Sequence, residues 1–265
     1  MALLTRHHPD MITSYDLLKS VALALMIIDH IGAFFFPEQY GWRVVGRMSA
    51  PVWLFLIGYA QTRELSPSLW VGTFILVAGN FALGQPLLPL CILATFLAAR
   101  AVLDPLMGLI RRKPSSLYVA AAALFGLNFV TMPLIEYGSA AFYFVMIGYF
   151  VRHSGSMPFD KEQRLQFAVI AAGLYAVFQL GTFMDFTMAQ KLVTGCGLIG
   201  TALLLTRFRP VTYEALSRRL PAICKAPLYI GGRWTLEIYV AHLLLFKVIS
   251  VMGAENPPYF NLHIF

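Results

Sequence analysis

Few side chains in this 265-residue sequence carry charge: Asp, Glu, Lys and Arg make up 12% of it, about half the share of a soluble globular domain. A shortage of that size excludes an ordinary water-exposed surface. Cysteine is nearly absent as well. Cys91, Cys196 and Cys224 are odd in number and widely spaced, which leaves no support for a disulfide framework or a clustered zinc site. Acidic residues are outnumbered, 13 against 20 basic ones, for a formal charge of +7. Such a surplus can mark a nucleic-acid binder, but here the cations fall in short segments between apolar runs, as in loops that meet anionic lipid. Nucleic acid is therefore not expected as a partner. Internal repeats and low-complexity stretches are also missing, and one domain over residues 1–265 is expected.

Apolar side chains fill the space that charge vacates. They make up 58% of the chain, and the mean hydropathy is +0.69. The expected architecture is an all-α, polytopic transmembrane helix bundle. Windows near spanning length give nine candidate spans, at about 17–36, 48–62, 68–84, 86–103, 117–135, 138–151, 166–183, 190–206 and 230–252. Two are short and the GQP step at 84–86 can kink a hairpin, so the range is eight to ten spans. The first run is too long for a signal-peptide core and lacks a small-residue cleavage site, so it is read as a retained helix.

Loop charge orients the bundle. Arg63, Arg100 with RRK at 111–113, Arg152 with Lys161 and Arg164, and the cations between Arg207 and Lys225 all follow even-numbered spans. By the positive-inside rule the N-terminus is cytoplasmic. Arg43 and Arg47 break the pattern, because they fall on the outer side and need another reason to be there. The EALSRRL stretch at 214–220 is expected to form a surface helix on the inner leaflet.

The first span is unusual. It reads DLLKSVALALMIIDH at 16–30. Lys19 and His30 are 11 residues apart, which at 100° per residue returns to within about 20° of the same face and separates them by about 16 Å along the axis. Lys19 thus falls near the inner mouth and His30 deep in the outer half. Asp16, three residues before Lys19, is placed to pair with it. Asp29 points about 100° away from His30, which favours pairing with an arginine over contact with its neighbour. Charge near the middle of a bilayer costs at least about 2.5–3.5 kcal/mol, so such groups face the bundle interior and either pair or do chemistry. Elsewhere in the apolar runs stand Asn80, Gln179, Asp185, Glu237 and His242, with Tyr239 and His242 three apart on one face. Glu136 is expected to be solvated at the end of its span.

The D-x-x-K…H pattern, the DHIG at 29–32, and GRMSAPVWLFLIGYA at 46–60 resemble the TraX family, named for a conjugative F-pilin acetylase. They also resemble the wider group of transmembrane acyltransferases. LEIYVAHLLLF at 236–246 looks like the closing helix of such proteins. The resemblance carries to Asp16, Lys19, Asp29, His30, Gly46, Arg47 and Pro51. It implies transfer of an acyl group, chiefly acetyl, from cytoplasmic acetyl-CoA to an acceptor in the membrane or beyond it. That acceptor would be the N-terminal amine of a pilin or a sugar of an envelope glycan, with a bacterial inner membrane as the setting.

Acyl transfer needs a base for the acceptor's proton and positive charge for the oxyanion. The residues assigned are His30 as base, Asp29 and Arg47 as its partners in the catalytic group, and Lys19 with Arg43 as the donor-binding cations. Direct transfer and a covalent acyl-histidine both fit the residues. The alternative is a proton-coupled transporter, because buried Asp, His and Arg also build proton relays. Transporter folds commonly repeat in halves, and the polar residues of the first two spans have no echo near residue 150.

Overall fold

A computed structural model describes residues 11–111 and 115–253. Within them the chain is helical, with two isolated bridges, Thr13 to Thr212 and Leu90 to Ile135, in place of strands. The helices are α1 (Ser14–Phe35), α2 (Gly41–Gly46), α3 (Ser49–Tyr59), α4 (Pro67–Ala82), α5 (Ile92–Ile110) and α6 (Ser115–Thr131). They continue with α7 (Ala141–Arg152), α8 (Lys161–Thr182), α9 (Met188–Thr206), α10 (Glu214–Arg219), α11 (Ala222–Arg233) and α12 (Thr235–Met252). A single 3-10 turn, Gly138–Ala140, leads into α7.

Each of the nine expected spans coincides with a helix. Five of them, α1, α5, α8, α9 and α12, are long and apolar enough to cross a bilayer. The others are shorter, and α3 at 11 residues reaches only about 16 Å against a hydrocarbon thickness of about 30 Å. Burial explains how a short helix survives there. Every residue of α7 from Ala141 to Phe150 is buried, whereas α4, α6 and α9 turn Phe74, Phe129 and Leu204 outward. A helix that is apolar all round belongs inside a ring of others, and the outward apolar faces are what lipid contacts.

Two boundaries differ from expectation. The segment 83–91 is not helical, so α5 starts at Ile92 rather than near 86. The last span divides at Trp234 into α11 and α12. The surface helix expected at 214–220 is α10, which is exposed except for Ser217. Arg112 and Lys113 of the basic RRK stretch lie outside the described residues.

The α3–α7 contact is the most extensive in the bundle, and paired glycines allow it. A Cβ on Gly58 would overlap the Val145 carbonyl, and one on Gly148 would overlap the Phe55 carbonyl. Backbones that close pack as do small-residue interfaces in membranes, where van der Waals contact substitutes for a hydrophobic driving force. Arg47, just before α3, and Glu136, just before the turn into α7, line a polar cavity.

Candidate functional site

Helix α1 is set in place by its start. Thr13 Oγ1 accepts from the Asp16 backbone N–H at 3.2 Å, and Asp16 Oδ2 accepts from the Thr13 N–H at 2.9 Å, a capping box. Asp16 is therefore engaged in the cap, and it forms no ion pair with Lys19 among the described residues, contrary to the sequence expectation. Lys19 Nζ instead donates to the Gly232 carbonyl at 3.2 Å, where α11 presses its Gly231–Gly232 pair onto α1.

Near the other end of α1, Asp29 is buried and holds two arginines. Arg43 Nη1 donates to Asp29 Oδ2 at 2.7 Å and to the Asp29 carbonyl at 2.9 Å. Arg47 Nε stands 3.6 Å from Oδ1. This supplies the reason for the two arginines that break the loop-charge pattern, and Asp29 pairs with arginine as its position on the helix favoured. Gly46 makes it feasible, since a Cβ there would run into the backbone of Asp29. Both guanidiniums also face the Phe183 ring, at 5.2 and 4.5 Å, a favourable placement for a partly desolvated cation. Arg47 Nη1 donates to the Tyr137 hydroxyl at 3.2 Å.

Tyr137 lies at φ 67°, a left-handed conformation that a bulky residue seldom adopts. It is held there from behind. The turn that follows is bonded to α6: Ser139 N–H donates to Thr131 Oγ1 and Ala140 N–H to Asn128 Oδ1, both at 2.8 Å. Strain of this kind persists only where surrounding contacts over-determine it.

Asp29, Arg43 and Arg47 line a cavity of ≈ 270 Å³ together with His30, Asn80, Glu136, Tyr239 and Lys247. Glu136 was expected to be solvated, and the structure corrects this. Its carboxylate accepts from the Ile92 N–H at 2.8 Å, capping the N-terminus of α5, while its backbone N–H donates to the Leu90 carbonyl at 2.9 Å. Loss of surrounding water pushes its carboxyl above the ordinary glutamate range, and Arg47 pulls it partway back. Lys247 Nζ is hydrogen-bonded to Asn80 Oδ1. Two carboxylates thus face three cations in the cavity lining, a balance suited to an anion or a developing negative charge.

His30 meets a second histidine. Its Nδ1 lies 2.8 Å from His242 Nε2, and His242 Nδ1 lies 2.6 Å from the Ile238 carbonyl. A carbonyl can only accept, so His242 Nδ1 carries the proton of that bond. Neutral His242 then accepts at Nε2, and His30 must donate from Nδ1. The consequence is local and specific: His30 Nε2 keeps its lone pair, with no hydrogen-bond partner among the described residues. Tyr239 stands beside the pair, its ring 6.2 Å from that of His30.

Of the residues singled out in the sequence, Asp29, His30, Arg43 and Arg47 share this cavity, while Lys19 does not. Lys19 lines a second cavity of ≈ 170 Å³ with Trp53, Phe96 and Tyr239. The single shaft implied by their common helical face is divided, because Tyr239 of α12 is the one residue lining both. Arg43, assigned to the donor, is committed to Asp29. Lys247 escaped notice in the sequence, although Tyr239, Leu243 and Lys247 recur every four residues and so mark one stripe of α12.

Helices with outward apolar faces around a recess of paired charges and linked imidazoles define a polytopic membrane protein with an internal polar site. The TraX family model, described as "TraX protein", matches residues 14–250, and the chain belongs to that family. An uncharacterized protein of Rickettsia prowazekii (strain Madrid E) is 27% identical over 142 residues, covering 53% of this chain and 57% of the relative. The chain thus matches little more than half the length of that curated relative. No solved structure matches.

Proposed function

We propose that this protein is a membrane acyltransferase that moves an acetyl group from cytoplasmic acetyl-CoA to an amine or hydroxyl acceptor in or beyond a bacterial inner membrane, with its N-terminus cytoplasmic. The observation that carries the reading is the His30–His242 pair, which leaves an unprotonated nitrogen on a histidine that lines a cavity of surplus positive charge. Family membership supports it.

In the step, the acceptor nitrogen or oxygen attacks the thioester carbonyl while His30 Nε2 takes its proton. Arg47 and Lys247 face the oxyanion that forms. Collapse breaks the C–S bond, and the His30 proton passes to the departing CoA sulfur. His242 holds the tautomer and spreads the charge of the transient imidazolium. Asp29 keeps both arginines in position, so its part is positioning rather than contact. Lys19, at the opposite end of α1, meets the donor's phosphates, and the pantetheine arm reaches His30 once the Tyr239 ring turns aside. A pilin N-terminus or an envelope glycan is the acceptor this reading favours.

The test is transfer from labelled acetyl-CoA by the purified full chain in lipid. His30→Gln is expected to reduce turnover by about 10²- to 10⁴-fold, the usual worth of a general base, with an unchanged melting profile. Retained turnover removes the histidine from the reaction. The divided cavity favours one second reading, a proton-coupled transporter in which Tyr239 separates two access routes. Proton flux into proteoliposomes without acetyl-CoA, lost in His30→Gln, would select it.

A further inference from the structure

A further cavity lies away from the histidines. It encloses ≈ 720 Å³ where α7 ends, α8 begins and α9 ends. Lys161, Arg164, Arg207 and Arg209 line it, and no Asp or Glu does. None of the four forms an ion pair among the described residues. Contrast this with the inner site, where each arginine has found Asp29. Lys161, Arg207 and Arg209 are exposed and Arg164 is partly buried, and cations grouped without a counter-charge set up a positive potential that draws an anion.

The frame beneath these cations is tied down. Arg164 Nη1 donates to the carbonyls of Ser154 at 3.0 Å and Phe159 at 2.8 Å. Asp160 caps α8 by accepting from the Gln163 N–H at 2.7 Å. The segment carrying Arg207 and Arg209 is bonded to the start of α1, through Ser14 Oγ to the Arg209 carbonyl at 3.0 Å and the Ser14 N–H to the Val211 carbonyl at 2.8 Å. Behind the charges the wall is apolar and aromatic. Phe208 packs edge-on against Tyr15 and Tyr59, with ring centroids 5.3 and 5.2 Å away, and Leu203 and Phe150 continue the lining. A cationic rim over an apolar wall fits a molecule with an anionic end and a less polar body.

We propose that this pocket binds a phosphate-bearing ligand, with Lys161, Arg207 and Arg209 on the phosphate and the Phe208 wall on the rest of the molecule. Arginine forks match phosphate oxygens in pairs, and the volume lies within the range of small-molecule sites. The pocket is separate from the proposed reaction: it shares no lining residue with the cavities at His30 and Lys19. The phosphate has two sources, an anionic lipid headgroup from the surrounding leaflet or a soluble nucleotide.

Two probes distinguish them, both used on the full chain in phosphatidylcholine nanodiscs. One is ADP, followed by equilibrium binding; the other is phosphatidylglycerol doped into the disc, followed by lipid retention in native mass spectrometry. Saturable binding of either probe that falls about tenfold or more in Arg207→Gln/Arg209→Gln upholds the site, and the probe that binds names the source. Binding of neither probe by the wild type, or binding unchanged by the substitutions, overturns it. Should the double variant not fold, hydrogen exchange on the wild type decides. Protection confined to residues 203–210 and the α7–α8 connection on adding the bound probe upholds the pocket, and protection elsewhere or none overturns it.

Discussion

The α3–α7 contact and the α1–α12 seam are both buried and both helical, yet they are built on opposite principles. Between α3 and α7 glycines bring the two backbones together, and the cation on the contact, Arg152, stands at its end over the Tyr59 ring. Along α1 and α12 the helices are spaced by imidazoles, and the neighbouring α2 adds paired charge. In lipid, apolar side chains gain little by leaving one another's company, so close packing holds the centre. The seam accepts the cost of buried polar groups because its charges are paired, its imidazoles are linked, and the space between them is a cavity. One region makes the bundle rigid, and the other uses that rigidity to hold a reactive arrangement.

Breaking the rigid side should have the largest effect. Gly148→Val is expected to force α7 away from the Phe55 carbonyl, a backbone clash with no rotamer to relieve it, and to abolish the folded monomer in detergent size-exclusion. Next comes the ionic centre. Asp29→Ala strands two buried guanidiniums, and breaking a buried pair from one side costs about 3–5 kcal/mol; a large fall in melting temperature would show it, and an unchanged one would mean that water already screens the arginines.

Smaller effects sharpen the comparison from the seam side. His242→Ala should lower transfer by about 10- to 100-fold, less than loss of His30, because the base survives but its tautomer is no longer held. An effect equal to that of His30→Gln would make the two histidines one unit. Lys19→Gln should raise KM for acetyl-CoA several-fold with kcat little changed, the signature of lost ground-state binding. A fall in kcat with KM constant would mean that Lys19 acts on the reaction itself.

Much of this was legible from residue order. Apolar runs marked every long helix, and the placement of Arg43 and Arg47 against the charge pattern announced a partner, which proved to be Asp29. Glu136 was not legible, because its place at the end of a run resembles that of a solvated residue. Its partial burial depends on the α6–α7 connection folding back to pair with Leu90. Lys247 went unnoticed for a similar reason, since a lone lysine in a closing helix reads as an anchor until Asn80 is seen beside it.

Composition and the length of the apolar runs determined that this chain is a helical membrane protein, and periodicity that Lys19 and His30 lie on one face of the first helix, because neither depends on how the helices pack. Only the tertiary structure decided what that face looks into. Tyr239 arrives from a helix more than 200 residues later in the chain and stands between the two cavities, and His242 arrives with it to set the proton on His30. Contacts between distant helices depend on how their surfaces interlock, which no local period encodes.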